Sequence, residues 1–418
     1  MQPRPTVQRR HTRRFLVASV AVLAVAVSAC GSDAATSNAT SAPTTAATAD
    51  TTAATTGDTT AATTGDTTAA TTGDTTGGDT GVTSEGISDA RCAENKAVGK
   101  ITYLSSFDFA ASASILDVVV AKDKGYFDAM CLDVDIKSGF STSNYPLVAA
   151  NTAQFSSAGS YTEILNYSVD GASFVALADY GKTPIEALVV KDPTITDLAQ
   201  LKGKTIGVKG DIPPSIVAML ASAGLVRGVD YQETLVDGFD PVVHLQGPID
   251  ALPVYKSNEP AALDAAGVKY GLFDPTALDI PGSFGLLYTS KQFAADHPTV
   301  AQDFIRAALK GMEDAIADPT AAVAIAIKQI DSAGNAYYLT EAGETFRWQQ
   351  ELAEVKKGTP AGEPVGLIDP AVFENEVTAY TAAGVFKTAP SMDGTYDADL
   401  AKALYDADGK VIFPAAAG

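Results

Sequence analysis

The sequence predicts an α/β protein built as two doubly wound lobes with a ligand cleft between them. Two observations carry that expectation. From Lys100 onward, short β-branched or aromatic runs alternate with helical patterns. The alternation also runs twice, over residues 101–190 and again from 196, before a run at 285–289 able to return the chain to the first lobe. At 418 residues the chain is long enough for two packed cores.

The first 29 residues read as an address. Arg9, Arg10, Arg13 and Arg14 form a positive segment, residues 15–27 are apolar, and small residues lead to Cys30. The apolar run is shorter than the roughly 20 residues a membrane-spanning helix needs. Val27-Ser28-Ala29-Cys30 resembles the bacterial lipobox, and the resemblance implies that Cys30 carries lipid and becomes the mature N-terminus. An ordinary secretory signal that happens to hold a cysteine is the plainer alternative. Arg13-Arg14 leaves the export route open between the general and twin-arginine pathways.

Residues 30–88 are dominated by Thr, Ala, Gly, Ser and Asp, with an eight-residue unit starting at Thr55, Thr63 and Thr71. Nothing there can bury a core, so the segment reads as a disordered tether with a root-mean-square reach of roughly 40–45 Å. Its threonines permit O-glycosylation. Beyond Cys30 there are two cysteines, Cys92 and Cys131, each ahead of a predicted strand. If the strands near 101 and 132 are parallel neighbours, their starts share one sheet edge and the sulfurs meet in a disulfide; the alternative is two inert thiols.

In the first lobe, strands are expected at 101–104, 132–136, 154–157, 173–179 and 186–190, with helices at 112–124, 146–151 and 161–167. Within 112–124, Ile115, Leu116, Val118 and Val119 point inward. The second α/β unit starts with a helix at 196–201, a strand at 205–209 and a helix at 215–223 introduced by Pro213-Pro214, and it continues through 233–236, 242–245, 249–254, 260–266 and 270–272. The tail is helical: 298–317 places Val300, Phe304, Ile305, Leu309, Met312 and Ile316 on one face, and helices follow at 320–329, 341–357 and 370–382. The chain thus divides into a signal (1–29), a tether (30–88), the first part of lobe I (89–187), lobe II (188–282), and the rest of lobe I with the C-terminal helices (283–418).

Charge and motifs exclude several functions. A net charge of −21 and the absence of a basic stripe after residue 14 oppose nucleic-acid binding. His11 lies in the signal, and His244 and His297 stand isolated, without metal-ligand spacing or a serine elbow. Gly203-Lys204-Thr205 precedes a strand, so it is not a phosphate loop, and no Gly-x-Gly-x-x-Gly follows the first strand. No catalytic set, metal or cofactor is expected.

What remains is a binding site at the strand ends. Phe107 and Phe109 follow the first strand; Ser157, Gly159 and Tyr161 follow the third; Tyr180 ends a later one. The facing lobe offers Asp211, Pro214 and Ser215 at a helix N-terminus, then Tyr255, Asn258 and Glu259. The aromatic residues suit a flat ring or, on the plainer reading, the core. Asn258 and Glu259 suit the donor–acceptor edge of an aminopyrimidine or, on the plainer reading, cap a helix before Pro260.

Gly125-Tyr126-Phe127, the run from Asp197-Leu198 to Gly207-Val208, Ile249-Asp250-Ala251, and His297-Pro298 through Lys310-Gly311 to Asp318-Pro319 together resemble the type II periplasmic solute-binding proteins of ABC importers, in the family of thiamine-pyrimidine-precursor, alkanesulfonate, taurine and nitrate binders. The resemblance implies the type II periplasmic-binding-protein fold, crossings near 183–187 and 281–285, closure over one solute, and delivery to a permease driven by a separate ATPase. It implies a monomer at the outer face of the cell membrane, held there only by its lipid. Asn258-Glu259-Pro260 resembles the pyrimidine or flavin branch. A sulfonate, taurine or nitrate ligand is the alternative, with Lys182, Lys209 and Lys256 as candidate cations, and a surface enzyme or adhesion lipoprotein is the alternative of another class.

Overall fold

The computed structural model describes residues 81–168, 173–334 and 338–414. The signal, Cys30 and the tether up to residue 80 lie outside the described residues. A two-stranded hairpin, Val82–Thr83 with Gly86–Ile87, precedes helix α1 (Asp89–Ala97). Lobe I begins with β1 (Lys100–Leu104), α2 (Leu116–Asp123), β2 (Asp133–Lys137), α3 (Ser141–Ala149), β3 (Phe155–Ala158), α4 (Tyr161–Tyr167) and β4 (Phe174–Gly181). Lobe II holds β5 (Glu186–Val190), a 3-10 turn at Leu198–Leu201, β6 (Thr205–Val208), α5 (Pro214–Ser222), β7 (Gln232–Leu235), α6 (Pro241–Gln246), β8 (Ala251–Tyr255), α7 (Glu259–Ala265) and β9 (Gly271–Phe273). The chain then returns through β10 (Phe284–Ser290) to α8 (Pro298–Ala317), α9 (Pro319–Ala333), α10 (Glu341–Gly358) and α11 (Pro370–Ala382).

Each lobe contains one five-stranded sheet, in the order β2-β1-β3-β10-β4 and β9-β5-β8-β6-β7. The expectation of two doubly wound sheets needs one refinement. β10 runs antiparallel to β3 and β4, and β5 runs antiparallel to β8 and β9. These are the strands that enter a sheet directly after a crossing, so their direction is set by the other lobe rather than by a helical crossover. The two crossings touch: Gly282, in the second, lies so close to Pro184, in the first, that a Cβ there would fall 2.7 Å from the proline Cγ.

Local chemistry shifts three elements from their expected bounds. The 112–124 helix starts only at Leu116, because Ser114 takes φ 68° and leaves residues 112–115 as a loop. Its four expected inward residues are all buried. The expected helix at 196–201 is a single 3-10 turn closed by an Asp197–Gln200 capping box. The helix expected to open at Pro146 opens five residues earlier and carries that proline inside it.

Cys92 and Cys131 are joined, with S–S 2.04 Å. β1 and β2 pair in parallel with Lys100 opposite Asp133, so both sulfurs reach one sheet edge, Cys92 from within α1. The bond closes a 39-residue separation. Loop-closure entropy over that length predicts that Cys92→Ser with Cys131→Ser lowers stability by about 4 kcal/mol. A melting midpoint unchanged by the double substitution would refute this.

Candidate functional site

A cavity of about 270 Å³ opens between the two sheets. Its walls come from the carboxyl ends of parallel strands, where open α/β sheets bind ligands. Ser106 and Phe107 follow β1, Gly159 follows β3, Lys209 follows β6, and Tyr255, Asn258 and Glu259 come from the end of β8. The start of α3 adds Phe140, Ser141 and Thr142, and α10 adds Arg347 and Glu351. The lining loop after β1 is held in an unusual backbone, with Asp108 at φ 48° and Ser114 at φ 68°. Such conformations persist only where surrounding contacts fix them. Here the Asp108 N–H donates to the Gly139 carbonyl at 2.9 Å and the Tyr103 hydroxyl to the Ser114 carbonyl, while Ser157 Oγ accepts the Ser106 N–H at 2.8 Å.

Phe107 is the centre of an aromatic cluster. Phe140 meets it edge-on at 5.8 Å between centroids and Phe239 at 6.3 Å, and Tyr338 lies at 6.4 Å. Phe239 comes from lobe II and stacks on Tyr338 of lobe I at 6.1 Å and 13°. Phe140 and Phe239 remain 45% and 57% exposed, an unusual state for such large apolar rings and one that suits a surface waiting for a ring-bearing partner. The Arg347 guanidinium sits 5.7 Å from the Phe107 centroid, within cation–π range.

Polar groups join the lobes above this cluster. Glu344, Arg347 and Glu351 share one buried face of α10. Arg347 Nε donates to Glu344 Oε2 at 3.0 Å, and its Nη2 donates to Glu344 Oε1 at 3.3 Å and across the cleft to Asn258 Oδ1 at 2.9 Å. Glu351 Oε2 accepts the Ala113 N–H at 2.7 Å, while Oε1 accepts the Ser257 hydroxyl of lobe II at 3.0 Å. Burial pushes the Glu351 carboxyl up to about 7, against the opposing pull of the Ala113 N–H and Arg347. On the lobe II wall Lys209 pairs with Glu259, whose Oε2 accepts the Tyr255 N–H at 2.9 Å.

Of the residues expected to touch a ligand, Phe107, Gly159, Tyr255, Asn258 and Glu259 line the cavity. Asn258 stands at the N-cap position of α7 yet makes no side-chain cap bond, so its amide is turned toward the cleft instead. The others lie elsewhere. Phe109 packs among Ile115, Val119, Ile330 and Leu339. Ser157 braces the loop after β1 from behind. Tyr161 is fully buried, stacked on Phe373 at 3.9 Å with its hydroxyl on Thr395. Tyr180 is buried with its hydroxyl donating to Asp117 at 2.6 Å. Asp211 is exposed and paired with Arg227, and Ser215, beside Pro214 in the first turn of α5, donates to Glu186 at 2.9 Å. Their positions at strand and helix ends are as read, but the side chains turn into the core or outward. Sequence reasoning missed Phe140, Phe239, Arg347 and Glu351. The signal for the last two was present as Glu344, Arg347 and Glu351 falling in phase with Trp348, Leu352 and Val355, a helical period that puts charge on a buried face.

Two sheets, each with one reversed strand, paired crossings and a cleft between them define the periplasmic-binding-protein fold. The chain belongs to the NMT1/THI5-like family, whose model matches residues 112–322. It is 26% identical over 160 residues to riboflavin-binding protein RibY of Chloroflexus aurantiacus. That match spans 37% of this chain and 44% of RibY, less than half of the relative's length. The fold is similar to that of a putative periplasmic sulfonate-binding protein SsuA from Methylobacillus flagellatus, with TM-score 0.52 and 18% identity over 73% of this chain and 93% of that one. It is also similar to the aliphatic sulphonate binding protein SsuA of Escherichia coli, with TM-score 0.52 and 14% identity over 71% and 91%. At these identities the likeness is one of fold.

Among the described residues no helix is long and apolar enough to cross a membrane, and no group of three His, Cys, Asp or Glu side chains is placed to hold a metal.

Proposed function

We propose that the chain is the extracytoplasmic solute-binding protein of an ABC importer, anchored through lipid on Cys30, and that it captures a small heteroaromatic solute such as a thiamine pyrimidine precursor or a flavin. The observation that carries this reading is the aromatic cluster of Phe107, Phe140 and Phe239, which spans both lobes beside Asn258 and Arg347. A ring seated against it touches both lobes and so favours the closed form, whose joined surface a permease can recognise. The stretch shared with a riboflavin-binding relative supports the flavin branch. A sulfonate, taurine or nitrate ligand would require uncommitted cations. Lys182 is instead turned to Asp179 and the Leu367 carbonyl, Lys256 to Asp274 and Glu354, and Lys209 to Glu259.

The test is a thermal-shift panel on the purified mature chain, covering a hydroxymethyl aminopyrimidine, thiamine, riboflavin, taurine, alkanesulfonates and nitrate. A ligand at 100 times its Kd stabilises by roughly 2.7 kcal/mol, a shift of several degrees. The expected result is a rise with a pyrimidine or flavin that is lost in Phe107→Ala and reduced in Asn258→Ala. A rise with the oxyanions alone would overturn the reading.

A further inference from the structure

We infer that the cleft selects its solute by charge, accepting an uncharged or cationic ring and rejecting the same ring once it carries a phosphate, sulfonate or carboxylate. This rests on the heteroaromatic reading above and adds to it the ionic class of the ligand. The argument begins with the backbone. An anion-binding site is ordinarily made of N–H groups at strand ends and loop turns that have no acceptor of their own. In this cleft four of those groups already have acceptors, and these acceptors are the chain's own carboxylates. Ala111 N–H donates to Glu344 at 2.7 Å, Ala113 N–H to Glu351 at 2.7 Å, Gly159 N–H to Glu163 at 2.9 Å and Tyr255 N–H to Glu259 at 2.9 Å. At the start of α3, beside the cleft, Ser141 N–H donates to the Ser106 carbonyl at 2.8 Å and Ser143 N–H to the Phe140 carbonyl at 2.9 Å.

The side-chain cations are spent in the same manner. Arg347 is held by Glu344, and Lys209 by Glu259. Glu351 is held by two uncharged donors, from Ala113 and Ser257, with no ion pair in contact, and because burial lifts its carboxyl to about 7 it presents a full negative charge to the cavity only above that pH. An incoming oxyanion would have to displace one of these glutamates or share a small, partly desolvated cavity with it. Like charges within about 5 Å at an effective dielectric near 20 repel enough to weaken binding on the order of a hundredfold. A neutral or cationic ring meets none of this and can use the carboxylate oxygens and the Asn258 carboxamide as edge partners.

The experiment compares matched pairs on the purified mature chain by calorimetry at about pH 8.5, where Glu351 is ionised: riboflavin against its 5′-phosphate, and a hydroxymethyl aminopyrimidine against its phosphate ester. The expected result is that the unphosphorylated member binds and the ester binds about a hundredfold more weakly or worse, with the gap narrowing at least tenfold in Glu351→Gln, which removes the charge and retains an acceptor. An ester that binds as tightly as its parent alcohol would overturn charge selection and leave the heteroaromatic reading standing. A gap that survives unchanged in both Glu351→Gln and Glu344→Gln would also overturn it, since rejection would then be steric. If neither ring pair binds and ethanesulfonate does, both readings fail together.

Discussion

Replacing Asp303 by Ala is expected to lower stability by about 3–5 kcal/mol, the cost typical of removing one partner from a buried ionic network. Asp303 is fully buried on α8, and both of its oxygens are shared. Oδ1 accepts from Arg91 Nη2 at 2.9 Å and from Arg306 Nε at 3.2 Å; Oδ2 accepts from Arg91 Nε at 2.8 Å and from Asn95 Nδ2 at 2.7 Å. Arg306 in turn donates from Nη1 to the Ile412 carbonyl at 2.6 Å. One carboxylate therefore ties α1, α8 and the C-terminal segment together, close to the Cys92–Cys131 bond. Deleting it takes a shared carboxylate away from two buried guanidinium groups, so less of the desolvation already incurred is offset. The expected reading is a melting midpoint lower by roughly 10 °C, with Asp303→Asn intermediate because an amide oxygen still accepts from one arginine. A loss below about 1 kcal/mol would show that the network is not the junction described.

The same network marks a boundary of what the sequence discloses. Helix 298–317 is read with its exact bounds, because His297-Pro298 supplies a start and the apolar residues recur at three and four. Residues 161–167, 186–190 and 370–382 are read exactly for equally local reasons. Asp303 and Arg306, however, look like ordinary helix charges until α1 arrives from more than 200 positions earlier. The candidate site divides in the same way. Phe107, Gly159, Tyr255, Asn258 and Glu259 lie where strands end, and strand ends are visible in the alternation of types. Which way a strand-end side chain points is not visible. All eight residues of β4 are buried, so Tyr180 ends its strand inside the core. Phe239 sits on a loop of lobe II whose approach to Phe107 depends on how the lobes meet, and Phe140 reaches Phe107 through an isolated bridge between two loops of lobe I, ahead of a helix whose internal Pro146 hides its true start.

The second large effect is expected at Trp348, the chain's single tryptophan. It is fully buried on α10, with Nε1–H donating to the Ala315 carbonyl of α8 at 3.1 Å. Trp348→Ala should cost about 3–5 kcal/mol through lost burial and an unfilled cavity, and Trp348→Phe about 1–2 kcal/mol, since a ring remains and chiefly the hydrogen bond is lost. The consequence extends to the cleft because Trp348 fixes the rotation of the helix about its own axis. Arg347 precedes it and Glu351 lies one turn later, and these two side chains carry the bonds to Asn258 and Ser257 of the other lobe. A helix free to turn by a few tens of degrees no longer holds the guanidinium over Phe107 or the carboxylate between the lobes, and a contact displaced by about 1 Å forfeits much of a hydrogen bond. Trp348→Phe should therefore weaken ligand binding several-fold while the chain remains folded, and saturating ligand should restore part of the lost melting temperature, because ligand binding stabilises the closed form by mass action. Should Trp348→Phe bind ligand as tightly as the parent chain despite a lowered midpoint, α10 would be a structural brace only, and the charges it presents to the cleft would owe their placement to lobe II.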